Sequence, residues 1–315
     1  MGDTNISVVI PLYNEEANLD ILYNKLKPVL VSLNKNHEVI FIDDGSTDSS
    51  FKILCDLYRK DKNIKIIKFR RNFGQTAALD AGFKYAKGGI IITMDADLQN
   101  DPADIPRLIE KMKEGYDVVS GWRYKRKDPL SKSIPSRIAG WFRKILTNEK
   151  IHDSGCSLKS YRRECFENLD LYGEMHRFIP TLLRWRGFKI AEVKVRHNPR
   201  IHGTTKYGYG RIFGGFLDLL TAKFWEDYST RPLQFFAKLG GIHFLIGFLI
   251  VSEKIFIELL YLHKPLNITP LLLAAVLFII MGVLFIGFGF LAEIQVKSYY
   301  AQNKQSKYFI EKVVE

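Results

Sequence analysis

The chain has 315 residues, 47% apolar and 25% charged, enough to bury a substantial core and too apolar for a disordered segment. Its formal charge of +12 suits an anionic partner: a phosphate-rich substrate, an anionic membrane surface or nucleic acid. Cys55, Cys156 and Cys165 lack the paired spacing of a zinc site or disulfide framework, so ordinary thiols in a reducing compartment are expected.

The N-terminal MGDTNISVVIPLYNEE lacks the basic start, apolar stretch and small-residue cleavage site of a signal peptide, and reads as a strand. From Asn5 to about Arg123, the runs ISVVIP, EVIFIDD, IKIIKF, GIIITMDAD and YDVVSGW alternate with amphipathic segments such as Asn18 to Leu33. Continuous apolar strands separated by helices predict an α/β domain with a mostly parallel sheet covered on both faces. Such sheets bind ligands at the carboxyl ends of their strands. Polar residues gather at those ends: Tyr13, Asn14 and Glu15; Asp43 and Asp44; Arg70 and Arg71; Asp95 and Asp97. Gly208, Gly210 and Gly214 have the wrong spacing for a dinucleotide fingerprint and follow no strand, which disfavours nicotinamide or flavin chemistry.

Asp95 and Asp97 fall on one side of an extended chain, and Gln99 continues that alternation. Paired carboxylates repel unless a cation joins them. Hard oxygen ligands suit Mg2+ or Mn2+, whose shells are completed by water and substrate phosphate, so a nucleoside diphosphate is the natural third party. The competing reading is that Asp, Asn and Pro merely end the strand. In IDDGSTDSS, Asp43 can accept the imino hydrogen of uracil or guanine, while Ser46 or Thr47 offers a helix cap. Tyr13 can stack on the base, although the acidic residues of PLYNEE would also complement a helix dipole. In RYKRK, Arg123 stands out from a solvated basic loop because it directly follows a strand end.

In SRIAGWFRKIL, Ile138, Trp141, Phe142 and Ile145 recur at helical spacing, and Phe213, Phe216, Leu217, Leu220 and Phe224 repeat the pattern between Ile212 and Trp225. Both segments read as helices lying in a membrane surface, with core-facing helices as the alternative. Leu271 to Leu291 is uncharged and long enough to cross a bilayer. Phe235 to Leu262 contains Lys238, Glu253, Lys254 and Glu258, and crosses only if those charges sit near its ends. The short connection HKPLNITP, with Pro265 and Pro270 as helix stops, predicts a transmembrane hairpin. Lys223, Arg231 and Lys238 before it and Lys297, Lys304, Lys307 and Lys312 after it predict that both termini and the α/β domain face the cytoplasm.

Taken in order, VVIPLYNEEANL, FIDDGSTD, RRNFGQTAALDAGF, MDADLQ, VVSGWRYKR, DSGCSLKSYRR, GEMHRFIP, RIHGTTKYG and YSTRPLQFF resemble the family-two glycosyltransferases. Within that family the resemblance is to the polyprenyl-phosphate group, which includes dolichol-phosphate mannose synthases and undecaprenyl-phosphate glucosyltransferases. It implies a GT-A, Rossmann-like domain over residues 1–208, amphipathic juxtamembrane helices over 209–232, a hairpin over 233–296 and a cytoplasmic tail over 297–315. The implied reaction is inverting, metal-dependent transfer of a hexose of the glucose or mannose class from a UDP- or GDP-sugar to polyprenyl phosphate. It also suggests a homo-oligomer.

Carried over by motif, the resemblance implies that Pro11, Tyr13, Glu15 and Asp43 hold the nucleoside with Arg71 nearby. Asp95, Ala96, Asp97 and Gln99 would hold the donor, with Asp95, Asp97 and Gln99 on a Mg2+ or Mn2+ ion. Arg123, Arg137 and Arg200, with Lys206, would face the acceptor phosphate and donor pyrophosphate, and His176 and Arg177 would lie near the acceptor. Thr205 stands where the family usually has Ser and keeps the hydroxyl. A monoalkyl phosphate, with a second pKa near about 6, is ionised enough to attack without a dedicated base. A processive polysaccharide synthase is the alternative enzyme; its acceptor motif keeps Arg184 and Trp185 here but has Thr181 in place of Gln. A non-catalytic membrane-tethered binding protein is the third reading, and nucleic-acid binding is the least favoured, because the charge is divided between a phosphate-lined crevice and membrane flanks and no nucleic-acid module is recognised.

Overall fold

The computed structural model describes residues 5–124, 151–199 apart from 168, 170, 172 and 174, 223–224, 227–228, 231–263 and 267–303. The chain divides into two compact units, Met1–Ala222 and Lys223–Glu315, with the division between the expected boundaries at 208 and 233.

In the first unit, β1 (Ile6–Leu12), α1 (Glu16–Ser32), β2 (His37–Asp43), α2 (Ser50–Lys60), β3 (Ile64–Lys68), α3 (Gln75–Tyr85) and β4 (Ile90–Thr93) alternate strand and helix. They are followed by α4 (Ile105–Lys113), β5 (Val118–Arg123), β6 (Lys159–Arg162), α5 (Ile179–Trp185) and β7 (Ile190–Val195). The seven strands form one sheet in the order β3-β2-β1-β4-β6-β5-β7. All neighbours are parallel except β6, which runs antiparallel to both β4 and β5. The expected mostly parallel α/β domain is therefore observed.

Side-chain alternation divides the core between the sheet's faces. Ile6, Val8, Ile10, Val39, Phe41 and Ile92 pack with Leu19, Leu22, Leu26 and Leu30 of α1 and with Ile105, Leu108 and Ile109 of α4. Val9, Ile40, Ile42, Ile91 and Val118 pack on the other face with Ala78, Leu79 and Phe83 of α3 and with Ile179 and Leu183 of α5. Each such buried aliphatic side chain stabilises the fold by about 1.5–3 kcal/mol. After β1, the chain builds β2 and β3 on one side and then crosses to β4 on the other, so β1 and β4 flank a topological switch point.

In the second unit, α6 (Pro232–Ile255), continued by a π-helical turn Phe256–Tyr261, packs on α7 (Pro270–Asn303). Both are long and apolar enough to cross a membrane. The stretch of α6 between Lys238 and Glu253 is uncharged, and Lys254 is ion-paired with Glu258 at 2.5 Å near the far end. Pro270 opens α7 rather than stopping the preceding helix, a position where its missing N–H costs no helical bond; Pro265 lies outside the described residues.

The two helices touch at glycines spaced by seven residues. A Cβ on Gly282 would lie 2.7 Å from the Gly240 carbonyl oxygen, and one on Gly247 would lie 2.5 Å from that of Ala275. Replacing Gly282 with Leu is expected to destabilise the hairpin by about 1–3 kcal/mol through overpacking. Gly287→Leu, at a position open to a side chain, should leave unfolding in detergent unchanged. Equal unfolding curves for the two variants would contradict this packing.

Candidate active site

The β1–α1 and β2–α2 loops are laced together at the carboxyl end of the sheet. The Asn14 N–H donates to Ser46 Oγ at 2.9 Å, and the Thr47 N–H donates to Asn14 Oδ1 at 2.8 Å. Ser50 Oγ accepts the Glu15 N–H at 2.9 Å, and Glu16 Oε2 accepts the Ser49 N–H at 2.8 Å. Asn14 takes a left-handed conformation (φ 53°), which asparagine tolerates better than most residues. Neither Ser46 nor Thr47 caps α2, contrary to one sequence reading, because the Ser46 hydroxyl accepts from Asn14 and α2 begins later, after Ser49. Glu15 Oε2 accepts from Asn18 Nδ2 at 2.6 Å, anchoring the first turn of α1.

Pro11 lies within β1, and Asp43 closes β2 beside Leu12. Asp43 is fully buried. Its Oδ1 accepts the Ser46 N–H at 2.8 Å, whereas its Oδ2 has no hydrogen-bond partner among the described residues. A buried acceptor left unpaired costs about 1–3 kcal/mol, so a donor brought by a ligand would be favoured there. Asp44 instead serves the protein: its two oxygens accept the Phe73 and Gly74 N–H groups at 2.7 and 2.9 Å, fixing the β3–α3 loop. Burial raises its pKa, those N–H bonds lower it in part, and Asp43 adds to the rise. Gly45 (φ 73°) permits this arrangement, since a Cβ there would lie 2.4 Å from the Arg71 backbone. Arg71 is exposed and lies over the Phe73 ring at 4.2 Å.

Strand β4 ends at Thr93, two residues before Asp95 and short of the run expected from the sequence. The chain bends through Ala96 to Leu98, and Leu98 is left-handed (φ 63°) yet buried. The strand alternation that oriented Gln99 therefore does not apply. Gln99 is held by its backbone, its N–H donating to Asp97 Oδ1 at 3.1 Å and its carbonyl accepting from Asn198 at 2.9 Å. Asp97 is buried. Asp95 accepts from Gln75 Nε2 at 2.8 Å.

Burial, reinforced by the charge of Asp97, pushes Asp95 up to about 6; Ser157, Lys159 and Arg123 act in the opposite direction. The Asp97 charge is thus close enough to disfavour ionisation of Asp95, an arrangement that a divalent cation would relieve. Among the described residues no cluster of three His, Cys, Asp or Glu side chains is present. Such a pair fits Mg2+ or Mn2+ that takes its remaining ligands from water and a diphosphate. A pKa raised in the folded state contributes stability that is full below about 4 and lost as pH rises through about 6. Melting of the metal-free protein should show this loss between those values relative to Asp95→Asn, and parallel pH profiles for the two proteins would refute it.

Arg123 carries a partner absent from the sequence reading. Its Nε and Nη2 donate to the two oxygens of Asp153 at 2.7 and 2.8 Å, a bidentate fork with both side chains nearly buried. Burial alone would raise the Asp153 pKa, but the Arg123 fork outweighs it and holds the carboxyl below its ordinary value. Lys159 is buried on β6, in register with Thr93 and Ser120, and donates to the Ser154 and Cys156 carbonyls. Its burial lowers its pKa.

His176 Nδ1 meets Thr76 Oγ1 at 2.7 Å, joining it to the first turn of α3. Arg177 ends the 3-10 turn that holds His176. Arg137, Arg200 and Lys206, the amphipathic segment around Trp141 and residues 201–222 lie outside the described residues. The structure therefore joins the residues of β1, β2 and β4 at one end of the sheet and adds Asp44, Gln75, Asp153, Ser157 and Lys159, to which sequence reasoning gave no role. Gln75 had a usable signal: it opens the helix after a strand's carboxyl end.

Residues 7–170 match the family model described as glycosyl transferase family 2. A dodecaprenyl-phosphate galacturonate synthase of Rhizobium johnstonii is 37% identical over 314 residues, covering 98% of this chain and 92% of that protein. An undecaprenyl-phosphate 4-deoxy-4-formamido-L-arabinose transferase of Pseudomonas aeruginosa is 36% identical over 310 residues, covering 98% and 90%. Among solved structures, glucosyl-3-phosphoglycerate synthase of Mycobacterium tuberculosis, in complex with Mn2+ and UDP-glucose, aligns with a TM-score of 0.52 at 19% identity, covering 70% of this chain and 79% of that one. That likeness concerns the fold.

Proposed function

The chain belongs to glycosyl transferase family 2, and from that membership we propose that it transfers a sugar from a nucleotide sugar to polyprenyl phosphate at the cytoplasmic face of a membrane. The observation that carries this reading is the match along 98% of the chain, hairpin included, to relatives named for polyprenyl-phosphate products. The donor proposed is a UDP- or GDP-hexose of the glucose or mannose class.

Asp43 Oδ2 would accept the base imino hydrogen, supported by its burial without a partner among the described residues. Pro11, Tyr13, Glu15 and Arg71 would line the nucleoside side. Asp95 and Asp97, with Gln99 beside them, would hold Mg2+ or Mn2+, which when bound supplies Lewis-acid neutralisation of the departing diphosphate. Arg123, Arg137 and Arg200, with Lys206, would face the acceptor phosphate and the donor pyrophosphate, with His176 and Arg177 near the acceptor. A phosphate oxygen of the lipid forms a bond to the anomeric carbon as the bond from that carbon to the diphosphate oxygen breaks, which inverts the configuration. The nucleoside diphosphate leaves with the bonding electron pair, and no protein base is required for an acceptor that is already ionised.

The test is to incubate the enzyme with a short prenyl phosphate and a panel of nucleotide sugars, including uronic and 4-amino sugars because the relatives' names carry them, and to weigh the products. A single prenyl-phosphate sugar is expected. A growing polymer would favour the processive-synthase reading, which needs more spanning helices than the two among the described residues. Arg137→Ala should impair use of the lipid phosphate more than donor hydrolysis. Equal losses in both would reassign that residue.

A further inference from the structure

We propose that Gln75 and Ser157 are positioning residues for Asp95, holding its carboxylate ready for a divalent cation from the first turn of α3 and from the loop ahead of β6. This rests on the reading of Asp95 and Asp97 as the metal-holding pair. Gln75 Nε2 lies 2.8 Å from Asp95 Oδ1, and the Ser157 side chain favours the ionised form of the same carboxyl. Ser157 Oγ already accepts from Asn100 Nδ2 at 2.6 Å, which directs its own hydrogen elsewhere and suits it as a donor to Asp95. The Ser157 carbonyl accepts from Thr93 Oγ1 at 2.7 Å, tying the loop to the end of β4.

Both donors are themselves anchored. The backbone just before Gln75 is fixed by Asp44, which accepts the Phe73 and Gly74 N–H groups, and the residue after it is tied to His176. The chemistry also suits the task. Two carboxylates side by side tend to swing apart or take up a proton, and donors aimed at one of them oppose both outcomes. An amide and a hydroxyl do this without adding positive charge, whereas a lysine or arginine in the same place would compete with the incoming cation. Partners that orient a ligand without touching the metal typically change metal affinity about 10- to 100-fold when removed.

The experiment uses the full chain and measures Mn2+ binding by calorimetry, with uridine and guanosine diphosphate each present in turn. Gln75→Met keeps the side chain's length without its donor, Ser157→Ala removes the hydroxyl, and Ser157→Thr restores it. Gln75→Met and Ser157→Ala should each weaken Mn2+ binding about 10- to 100-fold and lower kcat more than they raise the acceptor KM. Ser157→Thr should recover most of the loss, and any fall in metal-free melting temperature should be too small to account for the weaker binding. Unchanged Mn2+ affinity in both variants would overturn the proposal. So would losses of metal-free stability that account for the weaker binding. Failure of the unaltered chain to bind Mn2+ under any of these conditions is a different result, and would overturn the metal reading together with this inference.

Discussion

Replacing Asp97 with Asn is expected to reduce transfer to prenyl phosphate by at least about 10³-fold, equivalent to roughly 4 kcal/mol of lost transition-state stabilisation. The change removes the Asp97 charge, which disfavours ionisation of Asp95. The metal-free variant should therefore melt no lower than the unaltered protein. The two proteins should separate on adding Mn2+ and a nucleoside diphosphate: the melting temperature of the unaltered chain rises as binding stabilises the folded state, and that of the variant does not. A variant with near-normal turnover, or one that keeps its metal-dependent rise, would refute the role given to Asp97.

Arg123→Met is expected to have the largest effect on stability. It would leave Asp153 nearly buried without the fork that holds it ionised, and breaking such a pair from one side costs about 3–5 kcal/mol. Removing both charges with Arg123→Met and Asp153→Leu should recover most of that stability, because no uncompensated charge is left in a poorly solvated place. Activity should not return with it if Arg123 also faces phosphate, and a deficit of about 10²-fold is expected in the double variant. Thermal melts and initial rates on all three variants measure these quantities. Recovery of activity in the double variant would confine Arg123 to a structural role.

The pair also shows how much of the site was legible in the chain. Arg123 stood out because it ends a strand, and DSGCSLKSYRR was among the family-like motifs, but nothing in either stretch states that Asp153 meets Arg123 across 30 residues of chain. Lys159 was invisible for a similar reason. A lysine in a short run reads as solvated, and only its placement between β4 and β5 makes it buried. Asp43 and Asp44 look equivalent in FIDDGSTD. The fold assigns one to holding the β3–α3 loop and leaves the other with a buried oxygen that has no partner among the described residues.

The sequence by itself determined the strand and helix order, the covered parallel sheet, the gathering of polar residues at its carboxyl end, and two helices apolar enough to cross a bilayer. These follow from local periodicity, which responds to which face of each element is dry. Only the tertiary structure decided that β4 stops before Asp95, that Leu98 turns the chain left-handed, and that Gln75 and Ser157 converge on one carboxylate. Those outcomes depend on contacts between segments far apart in the chain. The hydrogen bonds and burial that fix them arise when the sheet closes, and no single stretch of residues encodes them.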